Sequence, residues 1–362
     1  VNILLFIAHS IEESDQVRLL TGLGHKVFSP GAYIDPEHPL DDMRPAIKRT
    51  GLTWHPDLKA IVDAIPADEE HPDRLDTVKQ LTPPELLEWA DVLICHHLEH
   101  RWLWPQWDRL MAAGVRVIWR TVGQSAHPNE YNAAEHVKDG LQIVRYSPLE
   151  RHIPNYAGAD AMVRFWKDPA EWRGWTGEDE TVLWMAQNPV ERTMWVHTDW
   201  MKAATRGLPV TLVGPQTEQM GGLGKVPEAQ LKALMRRARA VLYTGTQPAS
   251  YTLGLIETMM TGCPVVSIGP EMSRILPYGP ELFEGHLLAP MWASSPAEAN
   301  EMLSGILSDP ETAAAVSQVS RGRALALWSR VRAESAWGAV LDERWGDVPA
   351  DPEDMPALEV EA

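Results

Sequence analysis

Short apolar runs alternate with stretches of helical spacing along most of the chain. Asn2 to Ala8 is a continuous apolar run of the kind that forms a buried strand. Val17, Leu19, Leu20 and Leu23 then follow at helical spacing within Glu12 to Leu23. Gly24 in "GLGH" is a helix stop, and Lys26 to Ser29 starts a second strand. Pro30 to about His55 is rich in Pro, Asp and Gly and reads as a long loop, either an acceptor-side element or solvated padding. "TPPELLEWA" (Thr82 to Ala90) offers a Thr N-cap with prolines in the first turn. The strand "DVLICHH", a helix from about Leu103 to Ala113 and the strand "RVIWRTV" come next. A helix near Glu130 to Lys138 and the strand "LQIVRYS" close this half.

A second series opens at "TVLWMAQN" (Thr181 to Asn188). It continues with a helix from about Glu191 to Arg206, the strand "PVTLVG" and a helix over Glu228 to Arg239. The strand "AVLYTG", a helix-like segment around Glu257, the turn "GCP" with its Val-Val strand, and a helix over Ala297 to Leu307 complete it. Repeated strand–helix units of this length predict parallel sheets covered on both faces. The expected organisation is therefore α/β: two Rossmann-like parallel-sheet domains facing each other across a cleft, with ligands beyond the carboxyl ends of the strands. We place the N-terminal domain at 1–150, a connection at 151–179 and the second domain at 180–308. The segment 309–346, read as one C-terminal helix from Asp309 to about Trp345, is expected to pack back on the N-terminal domain, and 347–362 to form an acidic, Pro-rich flexible tail.

Composition narrows the function classes. At 362 residues, with 44% hydrophobic and 23% charged residues, the chain suits a soluble globular protein of two cores. No apolar run approaches the roughly 20 residues that span a bilayer. The first segment has no basic leader, so the expected location is cytoplasmic. Cys95 and Cys263 stand far apart with no paired spacing, which argues against a disulfide framework or a zinc site. A net charge of -18 disfavours DNA and anionic membranes as partners. The 16 Trp are core or domain-contact residues, or in part a stacking platform for a sugar or base.

The most informative stretch is "TGTQPASYTLGLIETMMTGCPVVSIG", Thr244 to Gly269. Thr252-Leu253-Gly254 bring free backbone N–H groups to a helix start, a ready anion site. Glu257, one turn in, is either an acid that favours a helix N-terminus or a carboxylate able to accept two hydrogen bonds from a ribose diol. This block, with the preceding "LKALMRRARAVLY", resembles the donor-binding motif of GT-B glycosyltransferases of the family-4 type. The match is close from Leu253 to Val266 and weaker along the rest of the chain, where "NILLFIAHS", "EWADVLICHH" and "TVLWMAQNPVER" keep the family's order. The resemblance implies a metal-independent glycosyltransferase that retains anomeric configuration. It also implies a nucleotide-sugar donor, UDP- or GDP-linked, as substrate, and no prosthetic group.

By that resemblance Glu257 holds the ribose and the backbone of Tyr251, Thr252, Leu253 and Gly254 meets the diphosphate. At the start of the donor domain Arg192 matches a phosphate-neutralising cation, Gln187 replaces the family's arginine, and Gly214 ends the next strand. Lys225, after "MGGLG", is a further candidate cation. The family's second acid, eight residues before the first, is here Ala249, with Gln247 and Ser250 as the neighbours able to supply hydrogen bonds. In the N-terminal half, His9 ends the first strand and His97 lies in "CHHLEH"; these two are the candidate catalytic groups. Alternation along a strand sends His96 and His97 to opposite faces, so a shared metal ion is not expected there.

Three function classes follow. The leading one is transfer of a sugar to an acceptor hydroxyl on a glycan, small molecule or hydroxylated DNA base. Val1 would suit a GTG start translated literally in a bacterial or phage gene, which keeps the modified base in view. The alternatives are a sugar-nucleotide epimerase of the same architecture and a catalytically silent sugar-nucleotide binder, the latter motivated by Ala249 and Gln187.

Overall fold

A computed structural model describes residues 1–7, 10–29, 55–64, 81–96, 103–123, 127–246, 249–269 and 292–344. The chain divides into two compact units. Unit 1 comprises Val1–Tyr146, Ile153–Val163 and Ala333–Val348; unit 2 comprises Ser147–His152, Arg164–Arg332 and Pro349–Ala362.

Unit 1 is built on a six-stranded, all-parallel sheet of order β2-β1-β3-β4-β5-β6. Its strands are β1 (Asn2–Phe6), β2 (Lys26–Phe28), β3 (Val92–His96), β4 (Arg116–Arg120), β5 (Gln142–Arg145) and the short edge strand β6 (Ala161–Met162). The inner strands bury nearly every side chain, which is why they read as unbroken apolar runs rather than as alternating ones. The helices α1 (Ser10–Gly22), α2 (Pro56–Asp63), α3 (Pro84–Trp89), α4 (Trp107–Ala112) and α5 (His127–Val137) connect them. One core joins Leu4, Phe6 and Leu93 of the sheet to Leu86, Trp107 and Leu110 of the helices. Burying each such aliphatic side chain contributes about 1.5–3 kcal/mol.

Unit 2 carries a five-stranded parallel sheet of order β11-β10-β9-β7-β8. The strands are β7 (Asp179–Met185), β8 (Val210–Val213), β9 (Ala238–Tyr243), β10 (Val265–Ile268) and β11 (Trp292–Ala293). The helices are α6 (Thr198–Ala204), α7 (Glu228–Arg237), α8 (Leu253–Thr261), α9 (Pro296–Ser308), α10 (Pro310–Trp328) and α11 (Arg330–Leu341), the last running on into unit 1. Each unit thus has the doubly wound, parallel α/β character expected from the sequence.

Three local expectations are corrected. Thr82 is not a helix cap: α3 begins after Pro83, and the Thr82 amide instead donates to Gln106 Oε1 at 3.1 Å. The helix expected over Glu191 to Arg206 is only α6. Its first half is a series of turns that ends with His197 at positive φ, where a helix cannot continue. The single C-terminal helix is broken at Ser329, whose ψ of 152° is extended. Within unit 1, Arg116 then donates to the carbonyls of Val340 and Leu341, in the last turn of α11, at 2.6 and 3.2 Å.

"MGGLG" also has a plain structural use. Leu223 N donates to Leu212 O and Gly214 N to Gly224 O, both at 2.9 Å, so the loop covers the exposed edge of β8. Gly222 must be glycine there, because a β-carbon would meet Leu212 at 2.7 Å.

Candidate donor site in the second unit

Parallel strands bring their carboxyl ends to one edge of a sheet, so the segments after β7, β8 and β9 of unit 2 share one rim. After β7 come Gln187, exposed, and Asn188, whose carbonyl accepts the Arg192 amide at 2.8 Å. Arg192 is half-buried, and among the described residues its guanidinium makes no ion pair. After β8, Gly214 has φ +123°, and a β-carbon on it would stand 1.9 Å from the Ala186 carbonyl oxygen. Gly214 is thus where the ends of two neighbouring strands touch. Thr244, just past β9, links the rim internally: it accepts the Trp184 indole N–H at 3.0 Å and donates to Val196 O at 2.7 Å.

From β9 the chain runs to α8. Thr252, extended, caps that helix through its hydroxyl, which accepts from Leu255 N. Leu253 and Gly254, the first helical residues, are half-buried, and as first-turn residues their amides have no intrahelical acceptor. The space at Gly254 is open; a β-carbon would find only Thr252 Oγ1, at 3.9 Å. Tyr251 serves the site differently. Its ring is buried between Phe165 and Trp328, and its hydroxyl accepts the Phe165 amide at 3.2 Å. Tyr243, at the end of β9, is buried, and burial pushes its phenol up to about 12, an effect that Thr252 opposes. It is a neutral hydroxyl at any ordinary pH.

Glu257 lies on α8 and is buried, and it does not stand alone. Lys167 Nζ is 2.8 Å from its Oε1, with the two side chains 1% and 7% exposed. The lysine also lies 5.9 Å from the centre of the Trp172 ring. Sequence reasoning missed Lys167. The local signal is slight: one lysine after Phe165-Trp166, in what reads as a connecting segment.

The other sequence candidates fare unevenly. Ala249, in place of a second acid, has its amide donating to Thr246 O at 2.9 Å. Ser250 is fully buried, so its hydroxyl does not face solvent at the rim. Lys225 is exposed on the loop covering β8. His9, His97 and Gln247 lie outside the described residues, as does the 347–362 tail. His96 is described: it is buried at the end of β3, with Nε2 2.8 Å from Glu12 Oε2. No group of three metal-ligating side chains occurs among the described residues, and no described helix is long and apolar enough to cross a membrane. Both cysteines are buried thiols outside any disulfide, and burial pushes the Cys263 thiol well up, which leaves it protonated.

Residues 192–338 match a family model described as glycosyl transferase-like. No curated protein matches the chain by sequence. Several solved structures share its fold. The HepE protein of Anabaena, solved with UDP and glucose, aligns at a TM-score of 0.63 and 12% identity over 94% of this chain and 99% of its own. A glycosyltransferase from Rickettsia africae aligns at 0.60 and 10%, covering 96% and 98%. A DNA-modifying β-glucosyltransferase, studied with and without uridine diphosphoglucose, aligns at 0.52 and 11%, covering 95% and 99%. The chain therefore has the two-domain, Rossmann-like GT-B fold, and its residues 192–338 are similar to the glycosyl transferase-like family.

Proposed function

We propose that this protein is a glycosyltransferase that moves a sugar from a uridine-diphosphate donor to an acceptor hydroxyl, with unit 2 holding the donor. The observation that carries the reading is the arrangement around α8. An open helix N-terminus at Leu253 and Gly254 stands one turn before a buried carboxylate, Glu257, that lies 2.8 Å from Lys167, at the rim of a parallel sheet. In this reading the amides of α8 and the Arg192 guanidinium meet the diphosphate. They stabilise the negative charge that grows on it as the glycosidic bond breaks. Glu257 accepts from the ribose hydroxyls. Neither role calls on a metal ion. The uridine preference rests on the UDP and UDP-glucose complexes of proteins that share the fold.

Retention of configuration, implied by the sequence resemblance, belongs to the same reading, and unit 1 is assigned the acceptor. A glycan, a small molecule and a hydroxylated DNA base all remain in the screen, with the charge of -18 weighing against DNA. Ala249 motivates a second reading, a sugar-nucleotide binder without turnover, because it puts no carboxylate where the resemblance expects one beside the transferred sugar.

The test is a panel of UDP- and GDP-linked sugars, scored by calorimetry for binding and by mass spectrometry for transfer and hydrolysis. Transfer or slow hydrolysis of a UDP-sugar, lost in Glu257→Ala together with UDP binding, is the expected result. Binding without turnover against every acceptor would favour the silent binder, and interconversion of free nucleotide sugars an epimerase. UDP affinity unchanged in Glu257→Ala would remove the site assignment.

A further inference from the structure

We infer that Lys167 is a positioning residue for the donor, acting through Glu257 to fix the carboxylate that receives the ribose diol. The inference rests on the ribose reading of Glu257 and adds a residue from a segment that the donor motif does not include.

The geometry holds the lysine from both ends. Its backbone amide donates to Trp328 O at 3.0 Å, and it pairs with Ser329 in an isolated parallel bridge. Two residues earlier, Phe165 N donates to Tyr251 Oη, and the Phe165 and Tyr251 rings meet edge to face at 5.7 Å. The segment 165–167 is thereby latched to the residue that precedes the cap of α8. Its ammonium reaches Oε1 of Glu257 with almost no exposure.

A buried ammonium and a buried carboxylate cost several kcal/mol each to desolvate. Anchoring alone does not require the pair, since apolar residues of similar volume fill such a place as well or better. What the pair supplies is a charged acid in one orientation. A carboxylate presents about four acceptor directions over two oxygens, and the ammonium takes one of them on Oε1. A diol reads that orientation, because its two hydroxyls must find acceptors at once. Without the lysine the carboxylate can turn away from the orientation that the diol reads.

The test compares UDP with 2′,3′-dideoxy-UDP by calorimetry. Hydrogen bonds to a charged group correspond to a preference of roughly 10- to 100-fold for UDP. We expect that preference in the natural protein and in Lys167→Arg, and its fall to about threefold or less in Lys167→Met and in Glu257→Gln. Affinity for the dideoxy compound should change little in any of them. Full preference in Lys167→Met would overturn the inference while leaving the ribose reading intact. Full preference in Glu257→Gln would overturn the ribose reading itself. If Lys167→Met fails to fold, Lys167→Gln, which keeps side-chain length and polarity without the charge, is measured in its place. A preference well below that of Lys167→Arg supports the inference, and full preference overturns it.

Discussion

Gly214 approaches the carbonyl of Ala186 so closely that an added β-carbon would lie 1.9 Å from the oxygen. Its φ of +123° also belongs to a region that side-chain-bearing residues avoid. Gly214→Ala therefore meets a rigid backbone atom and a forbidden conformation together. It should cost about 3 kcal/mol or more. Urea unfolding should show the midpoint of the unit 2 transition falling with little change in slope. A midpoint within error of the natural protein would mean that β7 and β8 do not meet in this way.

In unit 1 the Arg145 guanidinium holds both oxygens of Glu130 at 2.7 and 2.8 Å, and neither side chain has any exposure. Glu130 also accepts the Ala157 amide, and Arg145 donates to Gly158 O and lies over the Tyr156 ring. The pair thus ties α5 and β5 to the chain that leads to β6. Arg145→Met strands a buried carboxylate and should cost about 3–5 kcal/mol. Arg145→Met with Glu130→Gln should recover part of that loss, and a double-mutant cycle measures how much.

His55 packs against Phe28 and Trp89, and burial holds its imidazole below the ordinary value of 6.5, with nearby Lys26 adding to the effect and a hydrogen bond at Val27 opposing it. His25 is lowered for the same first cause. The unfolded chain therefore binds protons that the folded chain refuses. Stability from these two groups is complete above about pH 6.5 and is lost as pH falls from there toward their folded values. Proton NMR titration should give His25 and His55 midpoints below 6.5. Acid should destabilise His55→Phe less than the natural protein between pH 6.5 and 5.

The strands were legible because a parallel strand buried on both faces leaves a run of apolar residues that needs no partner to be recognised, as in "NILLF" and "VLIC". The α8 block was legible for a similar reason, since its cap, its glycine and its turn act locally. What escaped were features decided at a distance. Nothing around Lys167 announces an acid 90 positions later, and nothing in "ERTMWVHTDW" announces the positive φ of His197 that delays α6. Ser329 interrupts a pattern that is helical on both sides. Nothing local in "MGGLG" shows why its glycines are needed, whereas in the fold Gly222 is required by contact with Leu212. Of the 16 Trp, Trp119, Trp172, Trp184, Trp328 and Trp337 are fully buried, so for these the core reading prevails over a stacking platform.

Arg192 separates the diphosphate part of the proposed site from the ribose part. It is half-buried after β7, and among the described residues it has no carboxylate partner that would hold it away from an incoming anion. A guanidinium on a phosphate makes charge-assisted hydrogen bonds that are stronger than neutral ones, though partial exposure screens them. Arg192→Gln should therefore weaken UDP binding about tenfold, the lower end of what a hydrogen bond to a charged group supplies. Uridine lacks the diphosphate, so its affinity should not change. The loss should also shrink at high salt, because the missing interaction is the screened one. Calorimetry with UDP and uridine at two ionic strengths reads all three expectations. Equal weakening of uridine and UDP would place Arg192 in the support of the fold around β7 rather than at the phosphates.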